Sequence, residues 1–84
     1  MDLLAVMVVR TMEVRRLFLK VGDQVRHRRY PQWGLGEVVE ERTAVTVGGM
    51  CFVRIMFADG QERSFINNLD DVNCCYYTGI RVNA

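Results

Sequence analysis

The chain has a single histidine, no serine in a Gly-x-Ser-x-Gly elbow and no glycine-rich phosphate loop. The means of nucleophilic catalysis or nucleotide cradling are therefore missing, and a non-enzymatic role without a cofactor is expected. Charge of one sign is lacking as well: 11 Lys and Arg stand against 10 Asp and Glu, for a net +1. No overall field draws the protein onto DNA or an anionic membrane, so any nucleic-acid affinity has to come from a local patch. The longest apolar run, Leu3 to Val9, falls far short of the roughly 20 residues of a membrane span, and it lacks the basic flank and cleavage site of a secretory leader. Three cysteines, Cys51, Cys74 and Cys75, make an odd count, which argues against a secreted disulfide scaffold. A cytoplasmic protein is expected. Internal repeats and low-complexity segments are missing too.

What is present is globular. Half the residues are hydrophobic and a quarter charged, and 84 residues suffice for one small core and no more. The organising stretch is Val21 to Val39. Gly22-Asp23 is a turn pair, Val25 begins a short alternation, and Pro31 fixes a backbone angle while removing a donor. Gly34 and Gly36 then allow a sharp bend or a close backbone approach. The reading is strand, basic turn, strand, with strands over Phe18 to His27 and Gly34 to Glu41.

Further on, a two-residue turn at Gly48-Gly49 would set Val53 and Ile55 opposite Ala44 and Arg42, a mismatch that predicts a longer, bulged connection. Cys51 to Phe57 is the most strand-like run, apolar on both faces except at Arg54, so both faces are expected to be covered. Ala58-Asp59-Gly60 is a turn, and Gln61 to Ile66 returns as the next strand. Asn67 to Asn73 reads as a polar connection with room for a helical turn, and Cys74 to Val82 as a last strand interrupted at Thr78-Gly79. Five short strands with turn signals every 8 to 12 residues predict an all-β small barrel over residues 18 to 82. Residues 1 to 17 form a loosely attached N-terminal segment, open to either a helix across the barrel end or an edge strand. Met12 resembles a natural start, in which case residues 1 to 11 are an upstream extension, poorly ordered or a handle for self-association.

Lys20-Val21-Gly22-Asp23-Gln24-Val25-Arg26-His27, then Trp33-Gly34-Leu35-Gly36-Glu37-Val38-Val39, then Phe57-Ala58-Asp59-Gly60, resembles the Tudor-like, SH3-like barrels of bacteria. The pattern is most similar to a small bacterial domain family of unknown function with the same Trp-Gly-Leu-Gly step. It is more distantly similar to the C-terminal domains of UvrD-type helicases and the RNA-polymerase-binding domains of CarD-type regulators. Val25 to Pro31 followed by Gly34 is also similar to the opening of the hemimethylated-DNA-binding family. The resemblance spans about residues 18 to 66. It implies a five-stranded SH3-like barrel, whose ligands across these families are nucleic acid, RNA polymerase or peptide. Ala58 stands where an acidic residue is usual.

The densest basic and aromatic cluster is Arg26, His27, Arg28, Arg29, Tyr30 and Trp33. Guanidinium groups pair with phosphates and rings stack on bases, so these residues are the candidate ligand site, for DNA or RNA held weakly and mostly by its backbone. Against that stands a solvated turn whose Trp33 plugs a barrel end. A protein-interaction adaptor, for RNA polymerase or a repair helicase, is the alternative, suggested by the neutral net charge and the apolar Cys51 to Phe57 strand. A homodimer through Leu3 to Val9 is a third. Zinc on His27, Cys51, Cys74 and Cys75 is disfavoured, since the spacing is wrong and adjacent strand residues face opposite ways. Buried thiols, with one of Cys74 or Cys75 inward, are the better reading. Phe65, Tyr76, Tyr77 and Trp33 could form an aromatic cage for a methylated cation, against a plain core or rim role, and Glu40-Glu41 and Asp70-Asp71 read as solvated charges.

Overall fold

The computed structural model describes residues 16–45 and 49–83. Five strands, β1 (Gln24–His27), β2 (Gly36–Arg42), β3 (Phe52–Phe57), β4 (Glu62–Ile66) and β5 (Ile80–Val82), form one antiparallel sheet in the order β4-β3-β2-β1-β5. A 3-10 turn at Pro31–Trp33 follows β1, and a one-turn helix, α1 (Cys75–Thr78), precedes β5. The sheet curls into a half-barrel, as expected of an all-β small barrel. The last strand returns to pair with the first, Arg26 opposite Arg81 and His27 opposite Ile80.

Inward positions alternate along the strands, as a curled sheet with one buried face requires. Val25, Val38, Val53, Ile55, Phe57 and Ile80 are buried with Leu19, Cys74 and Cys75, and Phe18, Trp33, Phe65 and Leu69 pack against them. Gly36 is required by close approach. A Cβ there would lie 2.7 Å from Ile55 Cγ2 and 2.8 Å from the Phe57 ring, well inside contact distance.

Several expected elements take a different form. The strand over Phe18 to His27 is broken by a turn in which Asp23 N–H donates to the Lys20 carbonyl (3.1 Å) and Lys20 N–H to Asp23 Oδ2 (3.0 Å). The connection at 43–51 is long, as expected, because the ladder ends at Arg42 opposite Phe52. The bulge, however, falls earlier, between Val38 and Glu40. It turns Val39 outward and sets Glu40 against Arg54, 2.7 Å from its guanidinium. The outer face of β3 is open rather than covered: Phe52 and Met56 are 40% and 39% exposed. The strand expected from Cys74 is replaced by α1, whose local turn sends both adjacent cysteines into the core.

The barrel also begins earlier than residue 18. Leu69 N–H donates to the Arg16 carbonyl (2.7 Å), and Leu17 bridges to Asn68. Next to this bridge the buried Asn67 acts as a length of strand. Its Oδ1 accepts from Leu19 N–H (2.8 Å), its Nδ2 donates to the Leu19 carbonyl (2.9 Å), and its own N–H donates to the Cys51 carbonyl (2.8 Å). The expectations for residues 1–15, including self-association through Leu3 to Val9, and for Gly48 lie outside the described residues. Among the described residues no helix is long and apolar enough to cross a membrane.

Replacing Asn67 with alanine strands two buried backbone groups, each worth about 1–3 kcal/mol. Asn67→Ala is therefore expected to destabilise the barrel by roughly 2–4 kcal/mol, read as a lowered urea midpoint with an unchanged slope. A midpoint within error of the wild type would show that the carboxamide is not the joint described.

Candidate functional site

The turn after β1 is built by local hydrogen bonds around His27. Tyr30 N–H donates to the His27 carbonyl (3.3 Å), Trp33 N–H to Tyr30 (3.0 Å) and Gly34 N–H to Pro31 (3.1 Å). Pro31 opens the 3-10 turn, where a missing N–H costs nothing. Arg29 N–H donates to His27 Nδ1 (3.1 Å), which places the ring proton of the neutral form on Nε2. The ring lies 4.8 Å from Tyr30 and 4.9 Å from Trp33, centroid to centroid. Burial first, and the nearby Arg29 charge second, lower its pKa below the ordinary 6.5. His27 is thus a buried, neutral organiser of the turn, set apart from the surface that a ligand would touch. Gly79 completes the packing. Its φ is +129°, a Cβ there would sit 2.9 Å from His27 Cε1, and its carbonyl accepts from Arg28 N–H (2.8 Å).

Trp33 is half-buried and both of its faces are covered. Tyr30 stacks on it at 4.5 Å and 12°, and the Arg63 guanidinium lies 3.8 Å from the ring centroid. At those distances the two groups cannot share a face, so the indole is sandwiched between them. Asp59 holds Arg63 through Oδ1 to NH1 (3.2 Å) and Oδ2 to NH2 (2.9 Å). Those bonds keep the exposed Asp59 carboxyl below its usual pKa. Trp33 is therefore a packed member of the stack and offers no open face to a base, whereas Tyr30, 42% exposed, caps it and is the ring that faces solvent. Phe65 stands 6.5 Å from Trp33, while Tyr76 packs edge-on against Phe18 (5.1 Å) and Tyr77 (5.4 Å). The four rings weighed as a cage thus belong to separate clusters.

The described cations divide by partner. Arg16, Lys20, Arg42, Arg54 and Arg63 all pair with carboxylates. Among the described residues Arg26, Arg28, Arg29 and Arg81 form no ion pair. Arg26 and Arg81 are direct cross-strand partners, an arrangement in which like charges repel. Arg81 was not singled out from the sequence, because only the β1–β5 register brings it beside Arg26. It is anchored: NH1 donates to the Tyr76 (2.6 Å) and Ile80 (2.8 Å) carbonyls, and the guanidinium lies 4.0 Å from the Tyr76 ring centroid. Arg63 was missed for the same kind of reason, its role being set by the β3–β4 pairing and the Asp59 turn.

The cysteines are core residues. Burial first, and Cys74 beside it second, push the Cys75 thiol up to about 12, so it stays protonated. Among the described residues no three His, Cys, Asp or Glu side chains converge as a metal-ligand set. Comparison with protein-family models, curated proteins and solved structures returns no match.

The lowered His27 pKa carries a sign. Just below pH 6.5 the unfolded chain binds the proton and the folded one does not, so this contribution to stability is complete above 6.5 and is lost as the pH falls through the folded value. NMR titration of the single histidine is expected to give a midpoint below 6.5. Arg29→Gln should raise it only part of the way, because burial is the larger cause, and a midpoint at or above 6.5 would contradict the buried, neutral assignment. Removal of the guanidinium in Arg63→Ala should uncover one indole face, red-shift the emission of the single tryptophan and cost about 1 kcal/mol. An unmoved emission maximum would show that Arg63 does not cover the ring.

Proposed function

We propose that this chain is a non-enzymatic nucleic-acid-binding module that holds DNA or RNA weakly, mainly through its phosphates. The observation that carries the reading is the set of arginines that have no carboxylate partner among the described residues, Arg26, Arg28, Arg29 and Arg81, on one end of the barrel. The remaining described cations are neutralised within the chain, so these four are the charges left for an external anion. Tyr30 supplies the exposed ring for stacking, at about 1–3 kcal/mol per base. Trp33 and His27 contribute by holding Tyr30 and Arg29 in place. The resemblance to bacterial SH3-like barrels, including the hemimethylated-DNA-binding family, agrees with such a role. Three cysteines without disulfides suit a reducing, cytoplasmic setting.

A second reading, a protein-interaction adaptor for RNA polymerase or a repair helicase, is favoured by one observation. Phe52 and Met56 are exposed on the outer face of β3, and Val39, turned out by the bulge, is 41% exposed on β2. That surface is on the sheet face rather than the arginine end, so mutations separate the two readings.

Fluorescence anisotropy with a labelled single-stranded oligonucleotide is expected to give a salt-dependent Kd of about 10⁻⁴–10⁻⁶ M. Contact with three or four phosphates corresponds to a slope of log affinity against log salt of roughly −2 to −3. Arg28→Gln with Arg29→Gln should lower the magnitude of that slope by about 1.4, while Arg42→Gln, an ion-paired arginine on β2, should leave it unchanged. Equal binding by all three proteins would overturn the reading.

A further inference from the structure

Between the β1 turn and α1 runs an open groove of about 390 Å³, lined by Arg28, Arg29, Tyr77, Thr78, Gly79 and Arg81. Among the described residues it contains three guanidinium groups and no carboxylate. The neutral donors around it are already committed. Arg28 N–H donates to the Gly79 carbonyl and Arg29 N–H to His27 Nδ1, the Gly79 N–H and the Thr78 hydroxyl both donate to the Cys75 carbonyl, and the Tyr77 hydroxyl donates to the Leu69 carbonyl. Arg81 spends NH1 on two carbonyls and lies against Tyr76, which leaves Nε and NH2 unbonded among the described residues on a guanidinium already fixed in place.

We infer that this groove is a phosphate-binding subsite. The free donors belong to arginines, so the groove discriminates by charge. A neutral sugar or amide finds no uncommitted backbone donor there, whereas a tetrahedral oxyanion gains charge-assisted bonds from several guanidinium forks. It also relieves the repulsion among three cations that have no counter-charge among the described residues. Arg81 is the preorganised member and Arg28 and Arg29 close from the turn, which ties the subsite to the register of β1 with β5. The phosphate can be a free or terminal one, or an internal phosphodiester of a bound strand. The inference rests on the proposed nucleic-acid function for that second source only.

The full chain is titrated by NMR with inorganic phosphate against chloride at matched ionic strength, and separately with oligothymidylate lacking terminal phosphates. Saturable shifts at the Thr78 and Gly79 amides and at Arg81 Nε are expected with phosphate and not with chloride. Arg28→Gln with Arg29→Gln, exposed side chains without bonds in the fold, should abolish them. Arg81→Gln should weaken oligonucleotide binding roughly five- to tenfold. If phosphate saturates the groove and the oligonucleotide does not bind, the subsite stands for free or terminal phosphate and the nucleic-acid function fails. If the oligonucleotide binds with shifts confined to Arg26 and Tyr30, the groove is overturned and the function stands. No response beyond that of chloride in either titration overturns both.

Discussion

The barrel depends on one buried carboxamide. Asn67 leaves the end of β4 and, through its side chain, pairs with Leu19 as a neighbouring strand would, while its backbone pairs with Cys51. Three segments far apart in sequence, the entry at 16–20, the start of β3 and the exit from β4, meet at that residue. A side chain that supplies one donor and one acceptor in register replaces a strand where the chain has none. An apolar residue of the same size would leave two backbone groups dry and unbonded.

From that joint the chain is free to run through α1 and back to β1, and the candidate site is made by this return. β5 brings Arg81 opposite Arg26, and Gly79 against the His27 ring. His27 fixes the turn that carries Arg28 and Arg29 by accepting from the Arg29 backbone. A neutral imidazole is needed, since a protonated one would lose that acceptor and add charge beside Arg29. The site is thus a set of exposed cations on a scaffold whose centre is kept uncharged. The aromatic stack follows the same logic. Arg63 is spent on Trp33 and Asp59, and the arginines left over among the described residues are those on the β1–β5 end.

The electrostatics agree with the near-zero net charge rather than contradict it. A chain with almost equal numbers of cations and anions still leaves four arginines unpaired among the described residues, because Asp59 lies with Arg63, Glu40 with Arg42 and Arg54, and Asp70 with Arg16, away from the β1–β5 end. Local imbalance, not total charge, sets what the surface attracts.

Much of the architecture was legible in the residues. Strand alternation, the Asp59-Gly60 turn and the glycine-flanked step at Leu35 are local signals, because side-chain period and turn chemistry act over a few residues. They located β2, β3 and β4 closely and marked the basic turn with Arg26, Arg28, Arg29 and Tyr30. Adjacent cysteines were misread as strand because a four-residue helix is too short to show a period. The openness of the β3 outer face was misread because Phe52 and Met56 are apolar whether covered or not. The sequence alone determined an all-β barrel and a cluster of arginines near one turn. Tertiary structure decided that His27 is buried, that Trp33 has no free face, and that Arg81 joins the cluster. Those facts depend on cross-strand register and on which carboxylate reaches which cation, and both are set by contacts between residues dozens of positions apart, whose pairing no local pattern encodes.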